Sequence, residues 1–250
     1  MNDIVKEKLN ILKLKACADN FDMAMDQAAQ KNWAPVDVFE YLLDIEIETK
    51  RTNRIERCFK QSKLNEKITI DQFDFNHHIS RKKQKSQITN LTTLEFLKEK
   101  KDVIMIGNPG VGKTFLAKSI CYYATMAPVK TFFTSAMDMI NNMNAAEADN
   151  SLLRKLNGYL KPEILAIDEL GFLPLGANGS SHFFQVISNR HDAKKSTILT
   201  TNLPFADWGK IFNDTTVATA IADRLVHNSE VIILEGKSYR QKEKKRKTQN

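Results

Sequence analysis

The chain has 250 residues, 42% hydrophobic and 27% charged, with a net charge of +7: room for one large domain, or one ordinary domain plus a small one, in a soluble globular protein. No apolar run approaches the roughly 20 residues needed to cross a bilayer, and the opening Met1-Asn2-Asp3-Ile4-Val5-Lys6-Glu7-Lys8 is too charged for a secretion signal. Three widely spaced cysteines (Cys17, Cys58, Cys121) and five histidines without ligand spacing exclude a disulfide framework and a clustered metal centre, and point to a reducing, cytoplasmic setting with no membrane.

Residues 1–75 read as a small all-α N-terminal domain. Val5, Leu9, Leu12 and Ala16 share one helical face, and Phe21, Ala24, Met25 and Ala28 repeat the pattern. Ala34-Pro35 punctuates the chain, with Pro35 placed to open a further helix whose stripe is Val38, Tyr41, Leu42 and Ile45, running on toward Ile55 and Phe59. On that helix Lys50, Arg54 and Arg57 recur at i, i+4 and i+7; such a stripe either meets phosphates or simply faces solvent. Residues 76–90 are polar and basic around Arg81-Lys82-Lys83-Gln84-Lys85 and read as a linker.

From Leu91 the pattern alternates. Helices are expected at 91–98, 113–125, 137–143, 152–159, 182–190, 206–212 and 218–227, and strands at 103–106, 129–134, 164–167, 197–200 and 231–234. Strands separated by helices imply an α/β domain, 91–236, built on a parallel sheet covered on both faces. Residues 237–250 hold seven basic residues and one acid, so most of the net charge sits in a C-terminal tail. That tail suits electrostatic contact with nucleic acid or serves as a solubilising end.

The segment Gly107-Asn108-Pro109-Gly110-Val111-Gly112-Lys113-Thr114 matches the phosphate loop G-x-x-x-x-G-K-[ST], between an apolar strand and an amphipathic run that begins at Phe115. Its glycines allow backbone N–H groups to turn around phosphate oxygens, and the following helix directs its positive end there. Lys113 is suited to the β- and γ-phosphates and the Thr114 hydroxyl to Mg²⁺. Downstream, the apolar run Ile164-Leu165-Ala166-Ile167 ends in Asp168-Glu169, where Asp168 is placed to hold the metal and Glu169 to polarise a water. Asn202, after the strand Thr197–Thr200, either reaches the γ-phosphate or belongs to a turn before Leu203-Pro204. Arg224 either pairs with a neighbour such as Asp223 or acts as an arginine finger, with Arg190 a lesser candidate for that task. No Asn-Lys-x-Asp guanine reader is present, which favours ATP.

With these elements in order, the chain resembles the AAA+ P-loop ATPases, and among them the IstB-type transposition helpers of bacterial insertion sequences. The likeness rests most specifically on Phe73-Asp74-Phe75, Asp168 to Leu175, Thr200 to Trp208, Ala222 to Leu225 and Glu235 to Arg240. The resemblance implies a Walker A loop at Gly107 to Thr114, Walker B at Asp168 and Glu169, sensor 1 at Asn202 and a trans-acting arginine finger at Arg224. It also implies an ATPase without a C-terminal lid domain that forms homo-oligomers on double-stranded DNA and assists a transposase. A replicative helicase loader of the DnaC or DnaI kind shares the same core, and a small-molecule P-loop kinase is the rival from another class; a nucleotide-regulated scaffold with negligible turnover is a third.

Overall fold

The structure, a computed structural model, describes residues 2–239. It divides into two compact units, one up to Arg57 and the other from Cys58 onward. The basic tail from residue 240 lies outside the described residues.

The first unit is helical: α1 (Asn2–Ile11), α2 (Lys15–Lys31) and most of α3 (Pro35–Gln61). The expected continuous face from Val5 to Ala16 is interrupted, because Lys13 takes a left-handed backbone (φ 59°) and ends the first helix before Ala16. Cys17, Ala24 and Leu42 form the buried centre. Beside them the buried carboxylate of Glu46 on α3 accepts the backbone N–H of Cys17 (3.0 Å) at the positive end of α2 and pairs with Lys50 one turn on (3.2 Å). Burial works to raise the pKa of Glu46, but the Cys17 amide and Lys50 outweigh it and hold it below the usual value. Lys50 is thereby committed to its own helix, which leaves Arg54 and Arg57 of the basic stripe facing solvent.

Segment 76–90 is not a linker. It folds into a 3-10 turn (Phe75–His77), α4 (Ile79–Lys83) and α5 (Lys85–Leu91), with Arg81 and Ile88 buried in the second unit. The helix expected at 91–98 is split, since Leu94 adopts a left-handed conformation and only α6 (Glu95–Lys98) follows it.

The core of the second unit is a five-stranded, all-parallel sheet: β1 (Asp102–Gly107), β2 (Thr131–Ser135), β3 (Ile164–Leu170), β4 (Ser196–Thr201) and β5 (Ser229–Leu234), in the order β2-β3-β4-β1-β5. Val103, Ile104 and Met105 of β1 are fully buried, as the continuous apolar run of a strand covered on both faces requires. One face is covered by α7 (Lys113–Met126), through Leu116, Ala117, Ile120 and Cys121. The other carries α8 (Ala136–Ala148), α9 (Leu152–Leu160), α10 (Gly176–Asp192), α11 (Gly209–Phe212) and α12 (Thr215–His227). Helix α10 begins six residues before the expected 182 because tertiary contacts override its weak Gly-Ala-Asn-Gly start. A Cβ at Gly179 would come 2.8 Å from Ile140 of α8, and Ser180 Oγ donates to the Phe212 carbonyl (2.9 Å).

At the amino end of the sheet Asp102 accepts the Thr197 amide (2.6 Å) in a largely buried setting. Burial pushes its pKa up to about 7, against the lowering effects of that amide and of the nearby Arg190 charge. The folded state therefore holds this proton more tightly than the unfolded chain. The contribution is fully present below the unfolded pKa near 4 and is lost as pH rises through about 7. Asp102→Asn removes the titration, so its stability relative to the parent, measured by urea unfolding, rises between about pH 4 and pH 7.

Candidate nucleotide site

The carboxyl ends of β1, β3 and β4 gather the phosphate loop, Asp168, Glu169 and Asn202. The phosphate loop leaves β1 at Gly107 and enters α7 at Lys113. A Cβ at Gly107 would lie 2.1 Å from the Leu234 carbonyl oxygen of the adjacent strand, so only glycine fits. Gly112 takes φ 100°, a left-handed conformation that turns the chain into the helix. Asn108 and Pro109 are exposed at the tip, and Val111 is buried beneath it. Lys113 Nζ rests on the carbonyls of Gly107 (2.7 Å) and Asn108 (3.0 Å). Phe115 packs its ring against Phe73 (centroids 5.6 Å apart) on the wall of a cleft of about 350 Å³. That cleft is lined also by Gly110, Lys113, Thr114 and Tyr239.

Thr114 Oγ1 donates to Asp168 Oδ1 (3.1 Å), and Thr200 at the end of β4 donates to the same oxygen. The Thr200 oxygen in turn accepts the Glu169 amide (2.9 Å). Asp168 is 5% exposed, whereas the Glu169 side chain faces solvent. Strand β3 is irregular here, its pairing with β4 passing from Ile167↔Leu199 to Leu170↔Thr201, and Glu169 takes a left-handed φ of 62°. A non-glycine residue in that region stores roughly 1–3 kcal/mol of strain, the kind of cost found where geometry serves a site. Asn202 follows β4, and its Oδ1 would lie 3.1 Å from a Cβ on Gly171, in the turn just after Glu169. Two oxygens that converge beneath a helix amino terminus, Thr114 Oγ1 and Asp168 Oδ1, are the hard donors that suit a Mg²⁺ ion, and the loop in front of them suits phosphate.

The two arginines separate clearly. Arg190 is 1% exposed and spends all three nitrogens on its own chain: the carbonyls of Tyr159, Pro162, Glu163 and Ser196 and the Thr197 hydroxyl. Burial lowers its pKa to about 10, and it remains a structural cation. It is not a finger. Among the described residues Arg224 makes a single hydrogen bond, to Ala220 O in its own helix (2.9 Å), and stacks on Phe184 (4.9 Å). It does not pair with Asp223; instead it lines a cleft with Lys100, Asp102, Lys194 and Asn228. Asp102 opens β1 and Gly107 closes it, so this cleft and the phosphate loop lie at opposite ends of a strand about 17 Å long. The structure thus brings together the loop, Asp168, Glu169 and Asn202, and keeps Arg224 apart.

Sequence reasoning gave no site role to Thr200, which it read as the last residue of a strand and the first of a family motif, or to Arg81, which it placed in a linker. Thr200 carried a local signal: a hydroxyl at the carboxyl end of a parallel strand two residues before Asn202.

A parallel sheet in this order, with a phosphate loop after β1 and a carboxylate at the end of β3, defines an AAA+ P-loop nucleotide-binding protein. Solved structures share the fold: the DnaC helicase loader (TM-score 0.54, 22% identity, 63% of this chain and 91% of that one) and DnaI (0.56, 18%, 68% and 89%). AMPPCP-bound DnaA from Aquifex aeolicus is a third (0.57, 19%, 75% and 56%). The family model described as IstB-like ATP binding protein matches residues 7–247, and the chain belongs to that family. It is 37% identical over 245 residues to the ATP-binding protein of insertion sequence IS5376 from Geobacillus stearothermophilus, covering 98% of this chain and 96% of the relative. It is 35% identical to that of IS232 from Bacillus thuringiensis (94% and 93% covered) and 35% identical to that of IS21 from Pseudomonas aeruginosa (95% and 89%).

Thr200→Val keeps the strand but removes the hydroxyl that serves both Asp168 and the Glu169 amide. Chemical denaturation is expected to show a loss of about 1–3 kcal/mol, more than a surface Thr→Val change gives.

Proposed function

We propose that the chain is an ATPase that assembles on double-stranded DNA as a homo-oligomer and assists a transposase, with hydrolysis resetting the assembly. The observation that carries the ATPase part is the hydrogen-bonded convergence of Thr114, Asp168, Thr200 and Glu169 in front of the phosphate loop. The insertion-sequence setting rests on the relatives, each described as an insertion-sequence ATP-binding protein.

In this reading the amides of the loop and the amino end of α7 hold the phosphates of ATP, joined by the Lys113 ammonium. Thr114 and Asp168 would hold Mg²⁺, which supplies charge neutralisation across the β- and γ-phosphates. Glu169, aimed outward by its left-handed backbone, accepts the proton of a water that attacks the γ-phosphorus while the bond to the β–γ bridging oxygen breaks. Asn202 beside Gly171 orients that water or the γ-phosphate. Arg224, at the far end of the strands from its own loop, serves the γ-phosphate of a neighbouring copy.

Glu169→Gln is expected to bind ATP with parental affinity by nucleotide titration, and to release phosphate roughly 100-fold more slowly or worse. Parental turnover would remove Glu169 from its role. Arg224→Ala is expected to lose turnover by a similar factor or more. A mixture of the Arg224→Ala and Glu169→Gln proteins is expected to regain turnover, because each lacks the half that the other supplies. A mixture as inactive as its parts would place the arginine's action within one chain, or nowhere at the site.

The fold shared with DnaC and DnaI favours one second reading, helicase loading. Binding to duplex and to single-stranded DNA, compared in the presence of ATP, separates the two: preference for duplex supports the transposition reading, and preference for single strands the loader.

A further inference from the structure

The phosphate loop has a back as well as a front. A trans peptide points its C=O and N–H in opposite directions, so a loop whose amides face phosphate must present carbonyls on the other side, and those carbonyls need donors. Two are supplied from distant parts of the chain. Arg81 Nη2 donates to Val111 O (2.7 Å), whose peptide carries the Gly112 N–H. The Tyr239 N–H donates to Gly110 O (2.9 Å), whose peptide carries the Val111 N–H.

Both donors are themselves held. Arg81 is 2% exposed, donates through Nη1 to Asp74 O (2.9 Å) and lies between the rings of Phe73 (4.5 Å) and Tyr239 (5.5 Å). The segment that ends at Tyr239 is stitched to the turn and helix around Arg81. Ser80 Oγ meets both Glu235 O and Glu235 N (3.1 Å each), Gln84 Nε2 donates to Ile233 O (2.6 Å), and the His77 ring meets Lys237 O (3.1 Å). There is no slack between these layers and the loop. A Cβ at Gly112 would come 2.6 Å from the Phe73 ring, and one at Gly110 would come 2.2 Å from Ser238 Oγ.

We infer that Arg81 is a positioning residue for nucleotide binding: with the Tyr239 amide it forms an outer brace that aims the Val111 and Gly112 N–H groups into the site before the phosphates arrive. This rests on the nucleotide-binding reading of the loop and adds to it a determinant that contacts no nucleotide. Pre-aimed amides spare the ligand the cost of ordering the loop, so the brace acts on affinity. It acts on the diphosphate and triphosphate alike, because the amides of this loop cradle the α- and β-phosphates.

The test uses the full chain with Arg81→Met, which keeps the buried stem, Arg81→Lys, which keeps the charge, and Tyr239→Pro read against Tyr239→Ala, since both lose the ring that packs on Arg81 and only the proline also loses the amide donor. Affinities for Mg-ATP and Mg-ADP are read by calorimetry well below each variant's melting temperature. Arg81→Met and Tyr239→Pro are expected to weaken both nucleotides by tenfold or more and about equally, with Arg81→Lys between them and the parent. At saturating ATP, kcat is expected to fall far less than affinity. A merely structural arginine would lower the melting temperature and leave the affinity of the folded protein unchanged, and that result overturns the inference. It is also overturned if the loss falls on ATP alone. Should the parent itself bind neither nucleotide, the reading of the site fails first, and the experiment shows which has failed.

Discussion

One hydrogen-bonded chain sets the geometry of the site. Asp168, near the carboxyl end of β3, is a nearly buried carboxylate, and its Oδ1 takes hydroxyl hydrogens from Thr114, at the start of α7, and Thr200, near the end of β4. The second link, from the Glu169 amide to Thr200, holds the backbone where the strand breaks its pleat. A buried carboxylate needs such partners, since an unpartnered one would shed its charge. Here the two partners come from α7 and β4, so satisfying the carboxylate on β3 also fixes how the loop, β3 and β4 stand toward each other. Beneath it lies Cys121, fully buried, whose thiol pKa is pushed up by burial and by the Asp168 charge. It stays a neutral packing group.

Much of this was legible in the sequence because the chemistry is local. Five strands read as apolar runs of strand length, the loop as a contiguous motif, and Asp168-Glu169 as the polar end of such a run. Where tertiary contact decides, the reading failed. Nothing in Arg81-Lys82-Lys83-Gln84-Lys85 marks one cation of the run for burial; the facing carbonyls of Val111 and Asp74 and the rings of Phe73 and Tyr239 do so. Gly176 to Ser181 lack helix propensity and read as a loop, yet the close approach to Ile140 favours a helix with no side chain at Gly179. The strand irregularity at Glu169 has no composition signature at all.

The contrast between Arg190 and Arg224 shows why a motif alone cannot assign an arginine. Both end helices that precede strands. One is buried among the carbonyls of Tyr159, Pro162, Glu163 and Ser196, and removing it would take a donor from each of them. The other, among the described residues, keeps a single bond within its own helix. The chemistry open to a guanidinium depends on how many of its five hydrogens are already spoken for.

The placement of Arg224 at the opposite end of the strands from the phosphate loop has a geometric corollary. If one copy's arginine completes the next copy's site, the contact joins two unlike surfaces, and such pairing propagates in one direction until a ring closes or a helix grows. In an open array the last copy at one end always holds a loop that no arginine serves. Nucleotide there would outlast nucleotide in the interior, and the two ends of the array would be chemically distinct, giving the assembly a polarity that a symmetric dimer lacks.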